Sequence, residues 1–164
     1  MPCLQRLTSA ADVYDVTRAM QHGAHLELGA ITSAVPTART WARVVLSGWG
    51  LARLADDASI VLTELTTNAV LHAHGRSVTI WLRSDRESLA IMVGDPCSDM
   101  PHVEAEDASA LDGRGLIIVS ALAQHWGAYP VPAGGKVVWA VLSPLRRHAG
   151  TGNYGVDRAP WGTE

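Results

Sequence analysis

Residues 64–72 read Glu64-Leu65-Thr66-Thr67-Asn68-Ala69-Val70-Leu71-His72. An α-helix advances about 100° per residue, so Glu64, Asn68 and His72 fall in one stripe of such a helix, beside its apolar face. On that edge the amide oxygen can coordinate a hard cation, while the carboxylate takes a proton from a hydroxyl or water that attacks a phosphate. The pattern predicts a site for magnesium and a nucleotide. The alternative interpretation is an ordinary solvated helix face that carries a Glu and an Asn.

The helix that contains this stretch is predicted to begin at Asp56 or Asp57 and to end at His74. Acidic residues occupy its first turn, its interior has no Pro or Gly, and Gly75 follows where a left-handed cap closes many helices. An earlier helix is predicted to open at Pro36, and its apolar residues at helical spacing are Trp41, Val44, Val45, Trp49 and Leu51.

The rest of the chain has shorter strand and helix patterns. The predicted segments are a helix at 8–21, an edge strand at 25–28, a hairpin of strands 78–82 and 89–93, and closing strands at 129–131 and 136–142. A third helix is predicted from 113 until Gly127, because Leu116, Val119, Ala123 and Trp126 recur at helical spacing. Helices and antiparallel strands without regular β-α-β alternation indicate an α+β fold of two layers, one sheet with helices on one face.

Two further segments carry polar groups. Gly94-Asp95-Pro96 directly follows a predicted strand, which places Asp95 at the floor of a cleft between helices and sheet. A buried carboxylate there can accept a hydrogen bond from an exocyclic amine such as that of adenine, and an Asp-Pro turn is the alternative. Gly113-Arg114-Gly115 opens the third helix, where free backbone N–H groups can bind a phosphate. Residues 94–112 have no periodicity, and a loop of this length is usually a functional lid or disordered.

Taken in order, residues 64–73, Asp95 and residues 113–116 resemble the N, G1 and G2 boxes of the ATPase fold shared by gyrase, histidine kinases and mismatch-repair proteins. The form E-L-x-x-N-A-x-x-H-A and the closing segment 135–139 are most similar to the anti-sigma-factor serine kinases. The resemblance covers residues 24–145. It implies a Bergerat-type, histidine kinase-like two-layer α/β sandwich with a mixed, mostly antiparallel sheet. It also implies that the chain binds ATP together with Mg²⁺.

The same resemblance implies a role for each matching residue. Glu64 would be the general base and Asn68 the magnesium ligand. Asp95 would bind adenine, and residues 96–112 would form the nucleotide lid. The other residues that the resemblance implies in nucleotide binding are His72, Gly113, Arg114, Gly115 and Leu116.

Composition limits the class of protein. The chain has 164 residues, enough for one domain with its own core, and 13 Lys and Arg against 16 Asp and Glu give a net charge of −3. A phosphate-backbone binder needs clustered positive charge, so direct nucleic-acid binding is disfavoured. No apolar run approaches the roughly 18 residues that cross a bilayer, and no secretory signal is visible, so we expect a cytoplasmic protein without membrane contact. The predicted division is an accessory segment at 1–23, the ATPase domain at 24–145 and a flexible tail at 146–164.

The function that the resemblance implies is ATP-dependent phosphorylation of a serine or threonine on a partner protein. The implied partners are a sigma factor, an antagonist of an anti-sigma factor, or both, and homodimerisation is left open. The alternative is a non-catalytic, nucleotide-dependent protein-binding module of the same fold. Intact Glu64 favours the kinase. The common G1 form of the family is D-x-G-x-G, whereas Cys97 and Asp99 stand at the two glycine positions, which favours the module.

Overall fold

A computed structural model describes residues 10–101 and 114–144 of the chain. Its helices are α1 (Ala10–Arg18), α2 (Ala34–Gly48), α3 (Ala55–His72) and α4 (Arg114–Leu122), with a 3-10 turn at Ala52–Leu54. Its strands are β1 (His22–Gly29), β2 (Ser77–Ser84), β3 (Leu89–Asp95), β4 (His125–Pro130) and β5 (Lys136–Leu142). The five strands form one antiparallel sheet in the order β1-β2-β3-β5-β4, which confirms the predicted α+β class. Within the described residues, no helix is long and apolar enough to cross a membrane.

The main core lies between the sheet and the helices α2, α3 and α4. Residues alternate along β2, so Val78, Ile80 and Leu82 point to the helices and are fully buried. The central helix α3 contributes Leu62 and Leu65 to the same cluster. Burying one such aliphatic side chain is worth about 1.5–3 kcal/mol. This core therefore fixes α3 on the sheet, and with it the orientation of its polar stripe.

The opposite face of the sheet has a smaller core of its own. Val13 of α1 and Met20 pack there with Met92 of β3 and Trp139 of β5. Strand β5 is consequently buried on both faces, and β3 nearly so, which explains why both are almost continuously apolar. The sequence predicted helices on one face only, and α1 adds a partial third layer.

Helix α2 packs through small residues. Its buried residues are Ala34, Ala38, Ala42 and Leu46, which recur every four positions. Trp41 and Val45 border this face, but Val44, predicted to belong to the apolar stripe, is 70% exposed. The prediction was wrong at Val44 because it followed side-chain size, and alanine was not counted as a core residue. The helix begins at Ala34, two residues before Pro36.

The end of the third helix was also predicted wrongly. Helix α4 stops at Leu122, and Trp126 lies inside β4. The Gln124 N–H donates to the carbonyl of Val141 at 2.8 Å, so pairing with β5 begins directly after the helix. Trp126 is 4% exposed and belongs to the helix-side core, so it satisfies the helical spacing and the strand spacing equally. Strand pairing decides between them.

Helix α3 agrees closely with its prediction. It starts at Ala55 with Asp56 and Asp57 in its first turn, and it ends at His72 rather than at His74. His74 and Gly75 both have positive φ, 50° and 79°, so the left-handed turn predicted at Gly75 is present. The hairpin of β2 and β3 is confirmed as well. The division into segments 1–23, 24–145 and 146–164 stays a prediction, and the tail at 146–164 lies outside the described residues.

Candidate functional site

A cavity of about 460 Å³ opens between α3, the ends of β3 and β5, and the first turn of α4. This volume lies in the usual range for small-molecule sites, about 300–1,000 Å³. The lining is mainly apolar, and its polar residues include Asn68, Asp95 and Lys136. The lining residues are Leu65, Asn68, Ala69, Leu71, His72, Asp95, Asp99, Met100, Pro101, Leu116, Lys136 and Val138. Three stretches that the sequence predicted to meet, those around Asn68, Asp95 and Leu116, therefore share one cavity.

Asp95 ends β3 at the floor of this cavity and is buried. Its Oδ1 atom accepts a hydrogen bond from the backbone N–H of Cys97 at 2.9 Å, which turns the chain sharply out of the strand. The same Oδ1 lies 3.0 Å from Nζ of Lys136, its cross-strand partner on β5. The Lys136 ammonium also donates to the carbonyl of Cys97 at 3.1 Å. Three contacts among Asp95, Cys97 and Lys136 therefore hold the carboxylate in place.

The turn before β5 packs directly on this segment. Gly135 has φ +94°, and a Cβ atom there would overlap the carbonyl oxygen of Asp95. Only glycine allows this approach, because it has no Cβ and adopts positive φ without strain. The Gly135 N–H donates to Oγ of Ser98 at 3.2 Å. Gly135 thus brings Lys136 and the segment after Asp95 into contact.

The polar stripe of α3 faces the cavity and α4. Asn68, half-buried, and His72, exposed, both line the cavity. Glu64 lies one turn away and reaches the start of α4, since a Cβ on Gly115 would be 2.7 Å from Oε2 of Glu64. Both Gly115 and Leu116 are buried, and Arg114 is exposed.

Some predicted site residues fall in the undescribed part of the chain. Gly113 lies outside the described residues, as do residues 102–112 of the predicted lid. Residues 96–101, the first part of that segment, have no helix or strand. The side chain of Arg76 anchors this part, because its Nη2 donates to the carbonyl of Pro96 at 3.2 Å.

The oxygen ligands on the cavity wall suit a metal ion that binds together with a nucleotide. Within residues 10–101 and 114–144, no group of three or more His, Cys, Asp or Glu side chains could hold an ion. Mg²⁺ in nucleotide sites commonly keeps several waters and takes one or two protein oxygens besides the phosphates. The side-chain oxygen of Asn68, on the cavity wall, is suitable as such a ligand.

The five-stranded sheet, the cavity beside α3 and the close approach of Glu64 to Gly115 of α4 define an α+β domain with a cavity of small-molecule size. The family model described as histidine kinase-like ATPase domain matches residues 29–142, well over half of the chain. The chain therefore belongs to the histidine kinase-like ATPase domain family, and the superfamily resemblance is confirmed. Domains of this family bind ATP, generally with Mg²⁺. A search of curated proteins finds none that matches this chain.

One residue of the site was not predicted. Lys136 was treated as part of the closing strand and of the resemblance in segment 135–139, without a role in the site, yet it lines the cavity and contacts Asp95. A signal was present in the sequence: one charged residue follows Gly134 and Gly135 and precedes six apolar positions of a buried strand. A lysine is almost never fully buried unless it is paired, so its partner could have been sought among the carboxylates at strand ends.

Proposed function

We propose that this chain binds Mg·ATP in the cavity and transfers the γ-phosphoryl group to a serine or threonine hydroxyl of a partner protein. The hydroxyl oxygen forms a bond to the γ-phosphorus while the bond from that phosphorus to the β,γ-bridging oxygen breaks, and ADP leaves with that electron pair. Glu64 takes the hydroxyl proton. Asn68 holds Mg²⁺, which neutralises phosphate charge when it is bound. Asp95 binds the amine of the adenine ring.

The proposal rests on one observation, the meeting of the three motifs around a single cavity. Asp95 lies at its floor, Asn68 on its wall, and Leu116 at the start of α4. Glu64 contacts Gly115 at that same helix start, so a carboxylate stands beside the helix-terminal backbone N–H groups that would bind phosphate. Catalysis of phosphoryl transfer depends mostly on positioning and charge neutralisation; this arrangement supports the positioning, and the bound Mg²⁺ would neutralise the phosphate charge.

The partner proposed for this kinase is a protein of the sigma-factor regulatory system, either a sigma factor or the antagonist of an anti-sigma factor, in the cytoplasm. Two observations support this partner: the motif E-L-x-x-N-A-x-x-H-A in residues 64–73, and the membership of the chain in the histidine kinase-like ATPase domain family. His72 ends α3 at the rim of the cavity, and His72 and Leu71 are both exposed there.

A second candidate function is a binding module that uses the nucleotide only to set its shape. It is favoured by the altered segment after Asp95, where Cys97 and Asp99 replace the glycines of the common motif. The N–H of Cys97 donates to Asp95, and the carbonyl of Cys97 accepts from Lys136. These two hydrogen bonds hold the segment after Asp95 against the floor of the cavity.

Glu64 decides between the two functions. Wild-type protein, Glu64→Gln and Glu27→Gln are incubated with γ-labelled ATP, Mg²⁺ and purified candidate antagonist proteins. Loss of a general base lowers turnover about 10²- to 10⁴-fold, so Glu64→Gln is expected to lose phosphorylation by that factor while its ATP affinity stays within about threefold. Glu27, exposed on β1, is the control carboxylate. Equal phosphorylation by Glu64→Gln and wild type would refute the assigned role.

Gly115→Ala tests the placement of the same carboxylate without removing it. The new Cβ would lie 2.7 Å from Oε2 of Glu64, and this flexible side chain must move away. Misplacing a catalytic group by about 1 Å can cost on the order of 10²-fold in rate, so phosphorylation should fall while the melting temperature changes little. Full activity in the Gly115→Ala variant would show that the contact does not position Glu64.

A further inference from the structure

The floor of the cavity holds a buried ion pair rather than a single carboxylate. The side chain of Lys136 is 5% exposed and that of Asp95 is 2% exposed. An ammonium group has three N–H donors, and the two bonds it makes to described residues go to Oδ1 of Asp95 and to the carbonyl of Cys97. Since Lys136 also lines the cavity, a third donor can serve a ligand there.

The carboxylate has acceptor capacity left as well. Both hydrogen bonds to Asp95 from described residues, those of Lys136 and Cys97, end on Oδ1. A carboxylate has about four lone-pair sites on its two oxygens. Oδ2 can therefore accept a hydrogen bond from a ligand without breaking the ion pair. The floor presents a donor and an acceptor side by side, with no net charge.

We propose that Lys136 determines the purine specificity of the cavity by donating a hydrogen bond from Nζ to the ring nitrogen N1 of adenine, beside the contact between the 6-amino group and Asp95. This inference rests on the proposed binding of ATP. Adenine carries its amine donor and its N1 acceptor on neighbouring atoms, which matches the neighbouring carboxylate and ammonium. Guanine carries an acceptor oxygen at position 6 and a donor at N1, in the reverse order.

The ion pair cannot exchange its two ends to suit guanine. Lys136 is tied to the carbonyl of Cys97, and Asp95 is tied to the N–H of the same residue. Gly135 packs on the carbonyl of Asp95, so a shift of the turn would disturb this close approach. A guanine base would therefore leave buried polar groups unpaired, which is the strongest basis for selectivity in a closed site.

The experiment compares ATP with 1-deaza-ATP, in which a C–H group replaces N1, by isothermal titration in the presence of Mg²⁺. A hydrogen bond to a charged donor corresponds to about 10- to 100-fold in affinity, so wild-type protein should prefer ATP by that ratio. In Lys136→Met, whose unbranched side chain is one atom shorter and has no donor, the ratio should fall to within about threefold of one. Arg86→Met removes an exposed positive charge on the β2–β3 turn and should keep the wild-type ratio.

Lys136→Met leaves Asp95 buried without its partner, so the fold of this variant can be weakened. The double variant Asp95→Asn, Lys136→Met removes both charges and retains an amide acceptor for the 6-amino group. It should also bind ATP and 1-deaza-ATP with nearly equal affinity. A wild-type preference that persists in either variant would overturn the role of Lys136 and leave the proposed ATP binding intact. Failure of wild-type protein to bind any purine nucleotide would overturn both proposals.

Discussion

Replacing Gly135 by alanine tests the close packing at the floor of the cavity, and Gly134 is its matched control. Both glycines lie in the turn before β5 and have nearly equal φ, +97° at Gly134 and +94° at Gly135. A left-handed backbone costs an alanine about 1–2 kcal/mol, so this contribution is common to both variants. Only the substitution at Gly135 adds a steric contribution. A Cβ at position 135 would overlap the carbonyl oxygen of Asp95 and lie 3.0 Å from Cα of Pro96. At Gly134, no atom of the described residues lies within 4 Å of such a Cβ.

The steric contribution has a definite expected size. Non-bonded carbon atoms attract best at about 3.5–4.0 Å, so the new methyl group must push both neighbours outward, and these neighbours are backbone atoms, which cannot rotate away. Overpacking of this kind costs about 1–3 kcal/mol. Gly135→Ala should therefore destabilise the protein by about 2–5 kcal/mol, and Gly134→Ala by about 1–2 kcal/mol.

Urea denaturation followed by tryptophan fluorescence measures this difference in the free energy of unfolding. In a protein of this size each kcal/mol lowers the melting temperature by about 2–4 °C, so Gly135→Ala should melt clearly below Gly134→Ala. ATP affinity gives a second readout, because displacing Asp95 should weaken binding only in Gly135→Ala. Equal free energies for the two variants would refute the close approach as the reason for glycine at position 135.

Two further predictions concern buried polar groups away from the cavity. Thr66 is fully buried on α3, and its hydroxyl has no hydrogen-bond partner among the described residues. Valine has the same shape without the hydroxyl, so Thr66→Val should raise the free energy of unfolding by about 1 kcal/mol. A lower urea midpoint in this variant would contradict the prediction. Burial raises the pKa of the Tyr129 phenol above its ordinary value of 10.0, so the unfolded chain loses this proton first as pH rises. Stability should fall as pH rises through the ordinary tyrosine pKa of 10.0, and the fall should be smaller in Tyr129→Phe; an equal fall in both proteins would contradict the buried environment of this ring.

The features predicted best from the sequence are those with local causes. Helix α3 follows from its acidic first turn, its uninterrupted interior and Gly75 after its end. The β2–β3 hairpin follows from alternation on both sides of a polar turn, in which Oδ1 of Asp85 accepts from the N–H of Glu87 at 2.9 Å. The position of Asp95 at the end of a strand is equally local. Helix α3 and Asp95 together supply six of the twelve residues that line the cavity.

The features that were missed depend on contacts distant in the chain. Trp126 fits a helix and a strand equally, and only the pairing of β4 with β5 decides between them. The Lys136–Asp95 ion pair joins residues that are 41 positions apart, so no local pattern indicates it. The third layer at α1 depends on Val13 reaching the far side of the sheet. Each of these requires the register of the sheet to be known first.

The alanine face of α2 makes the nucleotide cavity sensitive to residues that never touch it. Helix α3 contacts α2 on one side and α4 on the other. Methyl groups at Ala38 and Ala42 permit two helix axes to approach near the lower limit, about 8 Å. A longer side chain at either alanine would act as a wedge and move α3 towards α4. Side-chain volume between α2 and α3 would thereby change the distance between Glu64 and the first turn of α4, although neither alanine lines the cavity.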